Sequence, residues 1–330
     1  MRIPLVSVVI PVYNGSRYLR EAIDSVLAQT YERVEVIAVD DGSTDDSPAI
    51  LESYGDRIRV IRQQNQGVGA ARNAGVVAAH GEFVGFLDQD DIWRPHKLIR
   101  QIEEIEKNPD IGLVHSEVEH FDEIQGRTIE RFNEDRSDLL VGDCYEQLLL
   151  GNGIFNCSVL VRRNVIEEAG MFDTNICGNT VQDYDLWLRC ARLTKFAYCS
   201  EELAVYRLHA NQGMWNVKAS LSQQLRMLER HIGPPERVKS FPLRCLLQRL
   251  FSELGIEHLD AGERMDANVC FRRSLRIKWS IRNTALYAVS FLPRPVIDFV
   301  RASRSRIRRM LGRTIESKLP AWTGRVNNGF

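Results

Sequence analysis

Five largely apolar residues, 83–87, end abruptly in three carboxylates, Asp88, Asp90 and Asp91. Burying an unpaired carboxylate costs several kcal/mol, so a cation or a polar ligand is expected where such a strand ends. Open α/β sheets bind ligands at the carboxyl ends of their strands, and the oxygens of Asp-x-Asp suit Mg²⁺ or Mn²⁺, which hold substrate phosphates. The alternative is a solvated acidic turn, in which Asp91 in particular is predicted to cap the helix after Pro95.

A second candidate segment, residues 67–73, combines two glycines with the basic residue Arg72. The Arg72 guanidinium could pair bidentately with phosphate groups, and a structural salt bridge is the alternative. The segment is not a dinucleotide fingerprint, because Arg72 occupies the position of the third glycine and the segment does not follow the first strand. Gly67 and Gly69 are instead expected to let the loop pass close to a ligand.

The elements that would position these residues alternate between strand and helix. Apolar and β-branched runs predict strands at 6–10, 34–39, 58–61 and 83–87. Helices are predicted between them and after Pro95, where Leu98, Ile102 and Ile105 share one face. A less regular half follows, with strands near 113–119, 158–162 and 196–205 and a helix over about 182–193. The alternation predicts an α/β fold with a mainly parallel, doubly wound sheet.

Composition indicates a globular protein whose two ends differ in charge. Of the 330 residues, 44% are hydrophobic and 26% charged, and the net charge of -1 gives no sign of a nucleic-acid partner. Residues 1–230 carry 24 Lys and Arg against 36 Asp and Glu, whereas residues 231–330 carry 19 against 8. An acidic front and a basic tail predict two roles, the second involving an anionic surface.

Seven cysteines without a C-x-x-C pair predict reduced, buried thiols in a cytosolic protein. The first residues lead directly into a strand and do not resemble a signal peptide. The longest charge-free apolar stretch near the C-terminus, 283–292, is too short to span a bilayer. We therefore expect a cytoplasmic protein, either free in the cytoplasm or attached peripherally to the cytoplasmic face of the membrane.

Six motifs together resemble the family 2 inverting glycosyltransferases, which have the GT-A fold. The resemblance covers about residues 4–215. The motifs are Val-Val-Ile-Pro-Val-Tyr-Asn at 8–14, Asp-Asp-Gly-Ser-Thr-Asp at 40–45, Ala-Arg-Asn-x-Gly at 71–75, Asp-Gln-Asp-Asp at 88–91, Gln-Asp-Tyr-Asp-Leu-Trp-Leu-Arg at 182–189 and Tyr-Arg-x-His at 206–209. Their order and strand-end placement imply a GT-A catalytic domain over 1–230, followed by a helical basic extension over 231–330.

The resemblance assigns the nucleotide base to the first two strand ends. Pro11 and Tyr13 would form a wall of the base pocket. A carboxylate after the second strand can accept the imino N–H of a pyrimidine, which favours a UDP- or dTDP-type donor. Asp41 is preferred for this contact, and its neighbour Asp40 is the alternative.

The remaining donor contacts implied by the resemblance involve the phosphates, the ribose and a metal ion. Arg72 would bind the donor phosphates and Asp88 the donor ribose. Asp90 would ligate the Mg²⁺ or Mn²⁺ ion that neutralises charge on the leaving nucleoside diphosphate. His209 resembles a residue close to the phosphates or the metal, although a structural histidine is an equal alternative.

The resemblance places the catalytic base at Asp183. Inverting transfer needs one base to take the proton from the acceptor hydroxyl as it attacks the anomeric carbon. The family often has Glu-Asp where Gln182 and Asp183 stand, so Gln182 is a departure that removes one negative charge. Asp185 is expected on another helix face, where it could hold the helix start or an arginine.

These features predict a nonprocessive, metal-dependent inverting glycosyltransferase, because the processive Gln-x-x-Arg-Trp signature is absent. It would move one sugar from a nucleoside-diphosphate sugar to a hydroxyl of a polysaccharide or lipid-linked acceptor, in the synthesis of cell-surface polysaccharide. A sugar-nucleotide pyrophosphorylase is disfavoured, since residues 11–14 lack the required glycine-rich, Arg-Lys-containing loop. A catalytically inactive, nucleotide-sugar-binding assembly subunit is the alternative outside enzymes, and Gln182 is its only support.

The C-terminal tail has the pattern of a helix that lies on a membrane surface. Residues 271–330 carry 14 Lys and Arg against two acids. Apolar residues within 296–311 can share one helical face with arginines off it, as in interfacial helices on anionic lipid. The alternative is a basic helix packed on the catalytic domain or on a partner.

Overall fold

The computed structural model describes residues 3–129, 140–176, 181–209 and 217–292. The chain forms two compact units, Met1–Met214 and Trp215–Phe330. The first unit contains every residue predicted to bind the donor or to act as base. The predicted boundary after residue 230 lies inside the second unit.

One sheet of nine strands, formed by described residues, organises the first unit. The strand order is β3-β2-β1-β4-β8-β6-β9-β5, and β7 pairs with β6. The strands are β1 (Val6–Val12), β2 (Val34–Asp40), β3 (Arg59–Arg62), β4 (Phe83–Phe86), β5 (Ile92–Trp93), β6 (Ile111–Asp122), β7 (Arg127–Ile129), β8 (Leu160–Arg162) and β9 (Lys195–Leu208).

The first four strands are parallel, as the alternating sequence pattern predicts. All seven residues of β1 are buried, in keeping with a strand covered on both faces. Beyond β4 the sheet becomes mixed: β8 is antiparallel to both of its neighbours, whereas β6 and β9 are parallel to each other. The predicted α/β class with a mainly parallel sheet flanked by helices is confirmed.

Helices of the first unit bury their apolar faces against this sheet. In α4, Leu98, Ile102 and Ile105 are buried as predicted, while Leu27 at the end of α1 is exposed. The helices are α1 (Leu19–Leu27), α2 (Ser47–Glu52), α3 (Val68–Ala78), α4 (Lys97–Ile105), α5 (Tyr145–Leu149), α6 (Arg163–Glu168) and α7 (Gln182–Cys190).

Helix α3 lies unusually close to β1, and Gly75 makes this approach possible. A Cβ atom at Gly75 would lie 2.3 Å from Cγ1 of Val9, closer than real Cβ contacts allow. The close packing of helix on strand brings Arg72, three residues earlier on α3, toward the carboxyl end of the sheet.

The second unit is helical in the part that the structure describes. Its helices are α8 (Val217–Ile232), α9 (Phe241–Asp260), α10 (Arg264–Ile277) and α11 (Ile281–Val289). Leu259, Ala267, Phe271 and Leu286 form its own small core. The predicted interfacial helix over 296–311 lies outside the described residues. None of the helices within residues 3–129, 140–176, 181–209 and 217–292 combines the length and the hydropathy needed to span a membrane.

Candidate active site

The predicted donor-binding residues meet at the carboxyl edge of the parallel strands. Val12, at the end of β1, pairs with Asp40, at the end of β2. On the other side of β1, the Leu87 N–H donates to the Val9 carbonyl at 3.1 Å and continues the register of β4. Tyr13, Asp41 and Asp88 therefore follow adjacent strands at one edge.

An ion pair links α3 to the end of β4. The Nη2 atom of Arg72 donates to Oδ1 of Asp88 at 2.7 Å, and the arginine is only 5% exposed. Its guanidinium also lies over the Phe172 ring, 5.3 Å from the centroid. The buried Nε–H of Arg72 has no hydrogen-bond partner among the described residues. The predicted structural salt bridge exists, and one donor of the guanidinium is left for an anionic ligand.

Asp90 contacts two residues at the end of β9, Arg207 and His209. Nε2 of His209 lies 3.0 Å from Oδ2 of Asp90, and the histidine ring packs against Tyr18 with the ring centroids 4.8 Å apart. Arg207 donates from Nε to the Asp90 carbonyl at 3.0 Å and pairs with Glu21. The Tyr-Arg-x-His motif thus fixes the turn that carries Asp90.

The prediction that Asp91 caps the next helix is wrong. Helix α4 begins only at Lys97, and no side chain caps it. Asp91 is buried instead, and its Oδ1 accepts from the Arg207 N–H at 3.1 Å. Burial and the neighbouring charges of Asp90 and Asp88 raise its pKa well above the usual range. Asp91 is therefore a buried link between the Asp-x-Asp turn and β9.

Asp183 lies in the first turn of α7 and is half-buried. Burial raises the pKa of Asp183 to about 6; the positive charge of Arg72 opposes this shift, and the negative charge of Asp88 adds to it. The start of α7 lies against α3, since a Cβ atom at Gly69, three residues before Arg72, would lie 2.9 Å from Oε1 of Gln182. Its Oδ1 accepts from the Tyr184 N–H at 2.7 Å. A carboxylate with this pKa is mostly ionised at neutral pH and still basic enough to accept a proton.

Gln182, where the family often has glutamate, anchors the chain before α7. Its Nε2 donates to the Ile176 carbonyl at 2.5 Å, and the side chain is buried. Glutamate could not donate this hydrogen bond when ionised. The amide also avoids a second negative charge beside Asp183, which would raise the pKa of that carboxyl further.

Asp185, two residues after Asp183 on α7, pairs with an arginine of the same helix. Its Oδ2 pairs with Arg189 four residues later, with an N–O distance of 2.8 Å. The expectation that Asp185 holds an arginine is confirmed. Leu186, Trp187 and Leu188 of the same helix are buried in the core.

Asp41 holds the loop that precedes α3. Its Oδ1 accepts from the Gln63 side chain at 2.7 Å and from the Gln66 N–H at 2.9 Å, and its Oδ2 accepts from the Gly67 N–H at 2.8 Å. Asp40 accepts from the Ser43 N–H at 2.9 Å. Both carboxylates of the Asp-Asp motif thus order loops at the sheet edge.

The two base-pocket candidates differ in exposure. Pro11 lies inside β1, pairs with Val39 and is buried. Tyr13 follows the strand and is 48% exposed. Only Tyr13 therefore presents a large surface to a ligand in this structure.

The residues around Asp90 fit a divalent cation. Burial and the charge of Asp88 raise the pKa of Asp90, and His209 opposes the shift, so a cation would relieve the crowding of negative charge. The Nε2 atom of His209 faces Asp90, so this is the ring nitrogen that would share a cation with the carboxylate. Carboxylate oxygens suit Mg²⁺, and a mixed set with imidazole nitrogen is also open to Mn²⁺.

Sequence reasoning missed two residues that shape this site, Gln89 and Arg207. Gln89 holds the backbone of Tyr13, and Arg207 holds that of Asp90. Both residues lie inside motifs that resemble those of the family, and this position was the only indication in the sequence that they contribute to the site. Their partners lie 76 and 117 residues away along the chain, and a local pattern cannot reveal such pairs.

Comparison with known proteins identifies the family. Residues 7–167 match the profile described as Glycosyl transferase family 2. An uncharacterized glycosyltransferase of Nostoc sp. is 36% identical over 230 residues, which cover 66% of this chain and 69% of that protein. The chain therefore belongs to glycosyl transferase family 2, and the predicted family is confirmed.

Other curated relatives are longer than the matched region. An uncharacterized glycosyltransferase of Rickettsia prowazekii is 35% identical over 63% of this chain and 65% of its own length. One from Rickettsia felis is 38% identical over 64% of this chain and 35% of its own length. This chain thus spans less than two thirds of both rickettsial proteins.

Two solved structures share the fold. S. aureus TarS 1–349 in complex with UDP-GlcNAc has a TM-score of 0.60 and 17% identity, covering 90% of this chain and 87% of that one. The mannosyltransferase PcManGT from Pyrobaculum calidifontis, in complex with GDP-Man and Mn²⁺, has a TM-score of 0.55 and 18% identity, covering 93% and 86%. At these identities the likeness establishes the fold.

Proposed function

We propose that this glycosyltransferase is a nonprocessive, metal-dependent, inverting enzyme that moves one sugar from a nucleoside-diphosphate sugar to an acceptor hydroxyl. The observation that carries the proposal is the grouping of Asp183, with a pKa raised to about 6, beside the Arg72–Asp88 ion pair at the carboxyl edge of the sheet. This arrangement supplies a base close to groups that can bind a donor.

Each residue has one task in the proposed reaction. Asp183 takes the proton from the acceptor hydroxyl while the oxygen attacks the anomeric carbon. Arg72 binds the donor phosphates with its free Nε–H, and Asp88 binds the donor ribose. Asp90, with His209 beside it, would hold Mg²⁺ or Mn²⁺, which when bound neutralises charge on the leaving diphosphate.

The proposed donor is a nucleoside-diphosphate sugar, and UDP or dTDP is the preferred nucleotide. Two proteins of the same fold are seen with UDP-GlcNAc and with GDP-Man and Mn²⁺. Tyr13, the exposed one of the two base-pocket candidates, would form the base wall, next to the buried Pro11. The preference for a pyrimidine rests on Asp41, whose oxygens already accept three hydrogen bonds from the following segment and would accept a fourth from the base.

A thermal-shift panel tests the donor class. We expect UDP, dTDP or GDP to raise the melting temperature in the presence of Mn²⁺, because a ligand that binds only the folded state stabilises it. At about 100 times Kd the stabilisation is roughly 2.7 kcal/mol. The matching nucleosides serve as controls and should have little effect. If no nucleoside diphosphate shifts the melting temperature and no donor is turned over, the proposed function is wrong.

We further propose a polysaccharide or lipid-linked acceptor in cell-surface polysaccharide synthesis, with attachment to anionic lipid through the basic tail. The support is the charge of residues 271–330, with 14 basic residues against two acids. Attraction of this kind is screened by salt over about 8 Å at physiological ionic strength.

Reversing tail charge should release the protein from anionic vesicles. Each basic residue near such a surface contributes about 1 kcal/mol, so the triple change Arg301→Glu, Arg304→Glu and Arg308→Glu should weaken binding by roughly 10²-fold or more. The matched control changes the same three arginines to lysine, which keeps the charge and should keep binding. Co-sedimentation measures both, and equal pelleting of the glutamate variant and the wild type would refute lipid attachment by this segment.

A further inference from the structure

Gln89, the residue between Asp88 and Asp90, holds the backbone of Tyr13 on both sides. Its Oε1 accepts from the Tyr13 N–H at 2.9 Å, and its Nε2 donates to the Tyr13 carbonyl at 3.1 Å. One side chain therefore satisfies both backbone groups of a residue that is distant in sequence. We call this pair of hydrogen bonds the Gln89 clamp.

The clamp acts where the chain has left the sheet. The ladder between β1 and β2 ends at Val12, so Tyr13 no longer has a strand partner on that side. Asn14 follows with φ of 49°, in the left-handed region that is uncommon for residues other than glycine. The clamp thus fixes a half-exposed aromatic residue at a turn that strand pairing cannot order.

Gly15 makes room for the clamp. A Cβ atom at Gly15 would lie 2.1 Å from Oε1 and 2.3 Å from Cδ of Gln89, so any larger residue would displace the amide. Only a side chain with both a donor and an acceptor can make the two bonds, which excludes glutamate, lysine and apolar residues. The clamp therefore needs both a glycine at position 15 and an amide side chain at position 89.

We propose that Gln89 is a positioning residue that fixes Tyr13 relative to the Asp88–Asp90 turn, so that the two ends of one donor molecule meet a preorganised surface. The inference rests on the proposed function, which places the nucleotide base at Tyr13 and the metal-bound phosphates at Asp90. Ordering the turn before binding lowers the entropic cost of holding the base. Gln89 itself need not touch the donor.

The test compares a ligand that has a base with one that has none. Gln89→Met is neutral, similar in size and unable to make either hydrogen bond, and Gly15→Ala displaces the amide without changing it. The nucleotide used is the nucleoside diphosphate that stabilises the wild type most in the thermal-shift panel. With Mn²⁺ present, both variants should bind it about tenfold more weakly than the wild type does. Pyrophosphate with Mn²⁺, which has no base, should bind each variant within about twofold of the wild type. Calorimetric titration gives both affinities.

A second glutamine provides a matched control. Gln29 also holds backbone at both ends, donating to the Arg94 carbonyl at 2.8 Å and accepting from the Leu98 N–H at 3.1 Å, outside the proposed donor site. Gln29→Met should lower the melting temperature and leave the nucleotide affinity unchanged. In a Tyr13→Ala background, Gln89→Met should cause no further loss, since effects that act through one residue are not additive.

Three outcomes would overturn the proposal. The first is wild-type nucleotide affinity in both Gln89→Met and Gly15→Ala. The second is an equal loss for pyrophosphate, which would assign Gln89 to the metal-binding turn alone. The third is an additive loss in the Tyr13→Ala background. If the wild type binds pyrophosphate with Mn²⁺ but no nucleotide, the proposed function itself is wrong and this inference is wrong with it.

Discussion

Replacing Asp183 with asparagine is expected to lower turnover by roughly 10²–10⁴-fold, the usual contribution of a positioned base. Asparagine keeps the size of the side chain and cannot accept the proton of the acceptor hydroxyl. Donor affinity should persist, because Arg72, Asp88 and Asp90 remain. Single-turnover rates and the donor dissociation constant, measured on the same preparation, separate the two effects.

The pH dependence gives an independent signature of the same residue. Because burial raises the pKa of Asp183 to about 6, the ionised, active form is lost as the pH falls below that value. In the wild type, kcat/KM should fall about tenfold per pH unit below this point. The residual activity of Asp183→Asn should lack that acid limb.

Stability should move in the opposite direction from activity. A carboxyl whose pKa is raised in the folded state makes folding less favourable once it ionises. Asp183→Asn should therefore melt at a higher temperature than the wild type at about pH 8, and the difference should shrink as the pH falls through about 6. If the variant melts at a lower temperature than the wild type both at about pH 8 and below about pH 6, the pKa of Asp183 is not raised in the folded state.

Asp185→Asn is the matched control on the same helix. Asp185 pairs with Arg189, so its loss should lower the melting temperature and leave the chemical step nearly unchanged. If Asp183→Asn transfers sugar at the wild-type rate and Asp185→Asn does not, the base is Asp185 and the present assignment is wrong.

Local patterns predicted the parallel half of the fold and the edge that carries the site. Strands at 6–10, 34–39 and 83–87 correspond to β1, β2 and β4 within two residues at each end. These segments are largely apolar runs whose ends are marked by turn residues, and both signals are local. Because parallel strands end at a common edge, grouping Tyr13, Asp41 and Asp88 needed no further information.

The contact made by Asp91 and the position of β8 in the sheet depend on pairing between residues far apart in sequence, and local sequence patterns could not reveal them. Asp91 reads as a helix cap because its sequence neighbours allow one, but its partner is the Arg207 N–H, 116 residues later. That contact arises because β5, which begins one residue after Asp91, pairs antiparallel with the last part of β9. The antiparallel insertion of β8 between β4 and β6 is likewise set by sheet order, to which hydrophobic periodicity is blind.

Replacing Asp90 with alanine should abolish metal-dependent turnover, with a loss of roughly 10³-fold or more, because a bound cation contributes several kcal/mol of charge stabilisation. The nucleoside diphosphate should no longer raise the melting temperature when Mn²⁺ is added. The fold should survive in the absence of metal, since the change removes a carboxylate whose pKa is raised by burial and by Asp88.

Two controls accompany the Asp90→Ala experiment: a change at a remote aspartate and removal of the metal ion with a chelator. Asp56→Ala removes an exposed carboxylate in the same unit and should leave turnover and the Mn²⁺ effect unchanged. Adding a chelator to the wild type should reproduce the Asp90→Ala defect, and adding Mn²⁺ should restore only the wild type. Transfer at the undiminished rate with chelator present would show that the Asp88–Asp90 turn acts without a cation. The crowded carboxylates would then have to be balanced by protein groups such as Arg72, which pairs with Asp88, and Arg207, which donates to the Asp90 carbonyl.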